Sequence, residues 1–285
     1  PGNSYGGDYQ IFEAIHKRRP DAMLWLGDNM YLREVDWSSR TGIMARYTHT
    51  RSLEEMQPLL ASTHHYAIWD DHDYGPNDSD RSYIHKYTTL EAFSRFWGNP
   101  TYGLNGDLTY GITSDFQWAD MDFFLLDNRF FRRPNRRSSG DPVYFGEQQL
   151  EWLIDVLANS QAPFKFVATG GQVLNTEAVY ENYIRLAPEE RAYLLGRIAE
   201  ENIKGVIFLT GDRHHTELSS YVNSRGNVVY DLTVSPLTSG SGSNRDGEHN
   251  AARHDGTLVV QRNFGLLTFS GARNERELLI QIFDS

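Results

Sequence analysis

Short apolar runs that stop on an acidic residue recur along this chain, and they limit its fold more than any other feature. Ala22-Met23-Leu24-Trp25-Leu26-Gly27-Asp28, Tyr66-Ala67-Ile68-Trp69-Asp70-Asp71 and Phe123-Phe124-Leu125-Leu126-Asp127 are the first three. Phe164-Lys165-Phe166-Val167-Ala168-Thr169-Gly170 and Val206-Ile207-Phe208-Leu209-Thr210-Gly211-Asp212 follow. Runs this apolar, without polar alternation, predict strands buried on both faces. Helical patterns lie between them. Leu150, Leu153, Ile154 and Leu157 mark one helix face, and Pro188-Glu189-Glu190 opens another helix with proline and acids in its first turn. The alternation predicts an α/β fold.

The last third changes character. Val228–Val234, Phe264–Phe269 and Leu278–Phe283 read as further strands, expected as an antiparallel meander. Between the first two, the Ser-Gly repeat at 239–243 and the polar stretch after it predict a flexible surface loop over 238–256, suited to an active-site lid. No repeat or linker divides the chain, so 1–285 reads as one domain.

Charge bears on what such a chain binds. With 27 Lys plus Arg against 38 Asp plus Glu, the net charge is −11, which excludes a nucleic-acid scaffold or an anionic-membrane binder. The same charge repels phosphorylated molecules unless bound cations reverse the local field. No apolar run approaches the roughly 20 residues of a membrane span. Cysteine is absent, so disulfides, thiolate ligands and a Cys nucleophile are excluded within this chain. Pro1–Gly7 carries neither a start methionine nor a signal peptide, so the chain reads as a piece of a longer precursor.

In α/β sheets, ligands bind beyond the carboxyl ends of the strands, where Asp28, Asp70, Asp71, Asp127 and Asp212 fall. A single Asp there commonly caps a helix or shapes a turn. Several converging carboxylates repel one another, and cations are the natural remedy. In Gly27-Asp28-Asn29-Met30-Tyr31, Asp28 offers two oxygens and Tyr31 returns to the same place after a short turn. A phenolate ligand suits a strongly acidic cation such as iron(III). Trp69-Asp70-Asp71-His72-Asp73-Tyr74-Gly75-Pro76-Asn77-Asp78 sets acids on both sides of an imidazole, as a general acid with an orienting partner needs. Gly211-Asp212-Arg213-His214 places two further ligand types two residues apart after an apolar strand.

These segments resemble the PhoD-like (alkaline phosphatase D) family of the metallophosphoesterase superfamily. The resemblance extends to Leu126-Asp127-Asn128-Arg129-Phe130-Phe131-Arg132, Phe145-Gly146-Glu147-Gln148-Gln149-Leu150-Glu151-Trp152-Leu153 and Leu232-Thr233-Val234-Ser235-Pro236-Leu237. It implies a four-layer αββα sandwich with mixed sheets and a dinuclear or multinuclear metal centre at the strand ends. Asp28 would bridge the metals, Tyr31 and His214 would serve an iron(III)-type ion, and Asp71 and Asp212 would serve the second. His72 would be the general acid and Asp73 its orienting partner.

Arg129 and Arg132 follow the third strand and suit a phosphate clamp, because guanidinium matches two phosphate oxygens, and Arg129 is also expected as a catalytic residue that stabilises transition-state charge. Asn77 is a further candidate for substrate contact, and Gln172 a weak candidate for metal or substrate. The resemblance implies iron(III) and calcium, with zinc, manganese or magnesium as other cations for such a site. It also implies a phosphate ester substrate, inorganic phosphate as product and an extracytoplasmic location. The family's first strand ends on a metal ligand, commonly Cys. This chain has neither before Ile11, so that strand is expected upstream. A monoesterase or phytase like the purple acid phosphatases is the alternative enzyme, and a phosphate-binding module with a degenerate site is the non-enzymatic one.

Overall fold

The computed structural model describes residues 9–241 and 248–284. The centre of the expected loop, 242–247, and the N-terminal Pro1–Gly7 lie outside the described residues. The first half contains α1 (Gln10–Lys17), β1 (Ala22–Leu26), α2 (Arg40–Arg51), α3 (Gln57–Ser62), β2 (His64–Ile68), α4 (Asp71–Tyr74) and α5 (Lys86–Phe96). Next come β3 (Ser114–Trp118), β4 (Met121–Leu125), α6 (Glu147–Asn159), β5 (Lys165–Thr169), α7 (Tyr183–Leu186) and α8 (Pro188–Glu200). The chain closes with β6 (Val206–Thr210), β7 (Glu217–Val222), β8 (Val228–Thr233), β9 (Phe264–Ser270) and β10 (Glu277–Phe283).

A mixed sheet in the order β3-β4-β5-β6-β8-β7 forms the scaffold. Strands β4, β5, β6 and β8 run parallel, so their carboxyl ends gather on one side; Thr169, Thr210 and Thr233 lie in register there. Every residue of β5 and β6 is buried, as their unbroken apolar sequences require. On one face, Phe124, Val167 and Phe208 pack against Leu150, Leu153 and Ile154 of α6 and Leu194 and Ile198 of α8. On the other, Phe166, Ala168, Ile207 and Leu209 meet Trp25, Ala67 and Ile68 of β1 and β2, with Phe12, Leu59 and Phe93 from helices beyond. Each of the valine, leucine, isoleucine and phenylalanine side chains among them contributes roughly 1.5–3 kcal/mol by leaving water. The layers are therefore helix, sheet, sheet, helix.

The second sheet layer is split in two. β1 pairs with β2 in parallel, and β9 with β10 antiparallel. A cavity of about 600 Å3, lined by Leu24, Leu26, Phe116, Leu267 and Phe269, separates β1 from β9 and continues to Asp28, Tyr31, Asp212 and His214. That cavity explains why β1, expected to be covered on both faces, buries only Trp25 fully. The last third also differs from the expected meander. β8 joins the parallel centre beside β6, and the antiparallel strand pairs of this third are β7 with β8 and β9 with β10. Of the expected loop, residues after 247 pack on the sheet edge: Asn250 donates to Glu217 and Ser219, and Arg253 bridges Ser219. Among the described residues no helix is long and apolar enough to cross a membrane.

Candidate metal centre

The register Leu26↔Ile68 makes β1 and β2 end together, so the residues after them emerge side by side. Gly27 turns the chain at φ 91°, and a Cβ there would lie 2.8 Å from the Asp70 Cβ, so only glycine fits. Asp70 then begins the single turn of α4, which brings Asp71 and His72 towards Asp28. The His72 N–H donates to Asp28 Oδ1 at 3.2 Å and to Asp71 Oδ1 at 2.9 Å. Ligand atoms of Asp28, Asp71 and His72 lie within 4.8 Å of one another. The Tyr31 hydroxyl donates to Asp28 Oδ2 at 3.2 Å, and its ring stacks on His72 with centroids 4.1 Å apart.

Asp71 also belongs to a second group, with Asp78 and Glu181, again within 4.8 Å. Its Oδ2 accepts the Asp78 N–H at 2.8 Å. Asp212 and His214, after β6, line the same cavity as Asp28 and Tyr31 but belong to neither group. His214 Nδ1 lies 2.5 Å from the Gly240 carbonyl, a contact that places a proton on Nδ1 and makes Nε2 the acceptor of the neutral ring. Asp28, Asp78, Glu181, Asp212 and His214 are five of the nine non-glycine residues with positive φ among the described residues. Left-handed backbone of this kind gathers where function, rather than folding, selects the residue.

Electrostatics agree with that reading. Burial, then repulsion from Asp71, Asp70, Asp73 and Asp212, holds the Asp28 carboxyl well above its ordinary range. Asp212 is raised by burial and by Asp70, Glu181 and Asp71. Burial, followed by the charge of Asp28, raises the Tyr31 phenol. Negative charge thus accumulates where a multivalent cation would relieve it, and carboxylate, phenol and imidazole donors fit a hard cation.

Other expected residues stand elsewhere. Asp73, expected to orient His72, instead accepts the backbone N–H groups of Asn29, Met30 and Asp70, so it fastens the two loops together. Arg129 and Arg132, expected as clamps facing substrate, are each 1 % exposed. Arg129 is paired with Asp70 through Nε and with Glu181 at 2.6 Å, and Arg132 reaches Glu181 at 2.8 Å. Both underpin the second acidic group. Gln172 faces away, donating to Glu217 and Thr233. Asn77 is exposed, and its amide donates to the Tyr180 hydroxyl at 3.3 Å. Asp127, at the end of β4, accepts from Trp69 Nε1 and from the N–H groups of Ile112, Arg129 and Phe130, a turn-shaping role. Glu181 had no signal in the sequence, since it sits in an irregular segment between β5 and α7.

A family model for PhoD-like phosphatases matches residues 2–274. Alkaline phosphatase D of Bacillus subtilis (strain 168) is 22% identical over 258 residues, which cover 73% of this chain and 43% of that relative. The chain thus spans less than half the length of that curated relative. Among solved structures, that of PhoD superposes with a TM-score of 0.77 at 16% identity, covering 99% of this chain and 66% of the other. A purple acid phosphatase from yellow lupin (Lupinus luteus) seeds gives 0.57 at 12% identity, covering 96% and 46%. Fold, strand-end acids and family match agree: the chain belongs to the PhoD-like phosphatase family.

Proposed function

We propose that this chain carries the catalytic centre of a metal-dependent phosphoric ester hydrolase acting on phosphomonoesters or phosphodiesters. The convergence of Asp28, Asp71 and His72 within 4.8 Å carries the reading. Asp28, Tyr31 and His214 would hold an iron(III)-type ion, while Asp28, Asp71 and Asp212 would hold a second, harder cation such as calcium. When bound, such ions polarise phosphate oxygens and supply a nucleophile at neutral pH.

The chain's own residues do the rest. His72, fixed by its stacking on Tyr31, donates a proton to the departing alkoxide. Arg129 and Arg132 hold Glu181 from beneath and offset the negative charge of the cluster. Asn77 meets substrate at the rim. We place the protein outside the cytoplasm on family grounds, which cell fractionation tests.

The deciding experiment measures hydrolysis of a monoester and a diester after chelation, then after adding back iron and calcium. Activity should vanish and return, and a visible phenolate-to-iron(III) band should be lost in Tyr31→Phe. Turnover that is indifferent to chelation, or unchanged in His72→Ala, would sink the proposal.

A further inference from the structure

We infer that Tyr180 is a specificity-determining residue, whose ring forms a stacking platform for phosphate esters with a planar aromatic leaving group. The inference rests on the hydrolase reading above and names its substrate class. Tyr180 exposes 52% of its surface, yet it is tied down at three points. Its hydroxyl donates to Asp78 Oδ1 at 2.6 Å and accepts from Asn77. Its carbonyl accepts from Arg213 Nη1 at 2.9 Å. The next residue, Glu181, is held between Arg129 and Arg132.

These three hydrogen bonds hold the exposed ring in one place. A ring held still offers contact area with little loss of freedom on binding. Its position relative to the centre is defined through Asp71. One oxygen of Asp71 accepts the backbone N–H of His72 and the other that of Asp78, whose carboxylate holds the Tyr180 hydroxyl. Tyr180 therefore flanks the second acidic group, on the Asp78 side of Asp71. An ester with its phosphate at this group and its leaving oxygen at His72 can lay the rest of its alcohol half along the exposed ring.

The matched probes are benzyl and cyclohexylmethyl phosphates, which leave as similar primary alkoxides but differ in planarity. Wild type should favour the benzyl ester by about five- to tenfold in kcat/KM, mostly through KM, the range expected for one aromatic pair. Tyr180→Leu should abolish the preference, whereas Tyr180→Phe should retain it. Leu and Phe lose the same hydroxyl, so the difference between them isolates the ring. Binding of benzylphosphonate and cyclohexylmethylphosphonate, followed by calorimetry on metal-loaded protein, gives a readout without turnover. Preference for benzylphosphonate without hydrolysis of either ester supports the stacking platform and removes the hydrolase reading. Equal use of both esters by wild type, or an equal fall for both in Tyr180→Leu, overturns the inference.

Discussion

The imidazole of His72 lies parallel to the phenol ring of Tyr31, with centroids 4.1 Å apart and planes 25° from coincidence. The contact joins the loop after β1 to the first turn of α4, so the proposed acid and the proposed iron ligand fix each other's orientation.

Loss of the imidazole should matter in proportion to how badly the leaving group needs a proton. His72→Ala should lower kcat by about 10²–10⁴-fold for an alkyl phosphate. For nitrophenyl phosphate, whose phenolate leaves unaided, the loss should be much smaller. A series of leaving-group pKa values compared between wild type and variant makes the check, and parallel lines would refute the acid role.

Asp28→Asn should act in opposite directions with and without metal. At a pH high enough to ionise Asp28, removing its charge relieves repulsion in the cluster, so the metal-free variant should melt above metal-free wild type there. Wild type at a hundredfold excess of cation over its Kd should gain about 2.7 kcal/mol, and the variant little of it. Thermal melts with chelator and with titrated iron or calcium separate the two effects.

Asp231 offers a pH test away from the cluster. Its carboxylate, on β8, accepts from the N–H groups of Val173 and Leu174 and from the Thr210 hydroxyl. Burial pushes its pKa up to about 6. Unfolded chain releases this proton near 3.8, so between those values the folded state binds more protons and stability falls as pH rises, then levels above about pH 6. The span corresponds to about 3 kcal/mol by linkage. Asp231→Asn keeps the shape and should flatten that slope relative to wild type. Denaturant melts at pH 4, 5, 6 and 7 measure it.

Arg129→Met should destabilise the fold by about 3–5 kcal/mol, because Asp70 would remain buried without its cationic partner and Glu181 would keep only Arg132. Adding Asp70→Asn should recover part of the loss. A double variant no more stable than Arg129→Met would show that the Asp70 pair is not what Arg129 supports.

Much of this was legible because buried parallel strands have unmistakable sequences: Lys165–Thr169 and Val206–Thr210 became β5 and β6 almost residue for residue. β3 and β7 escaped, since Ser114–Trp118 and Glu217–Val222 alternate or mix polar with apolar residues at the sheet edges. Asp70 and Asp71 show where residue type stops being informative. They are adjacent acids at one strand end, and only the direction in which α4 starts sends Asp71 to His72 and Asp70 to Arg129. The arginines misled for a related reason. A guanidinium suited to phosphate oxygens is equally suited to carboxylates, and Glu181 arrives from a segment that has no pattern to read.

Backbone geometry sets the chemistry of this chain against its folding. Asp28, Asp212 and His214 each hold a left-handed conformation that costs a side-chain-bearing residue roughly 1–2 kcal/mol. Glycine would be more comfortable at all three positions and would bring no charge into a crowded pocket. A lineage selected for a well-folded scaffold alone would therefore erode first at its strand ends. Relatives that have lost the activity should betray it by glycines at these positions, while β5 and β6 remain intact.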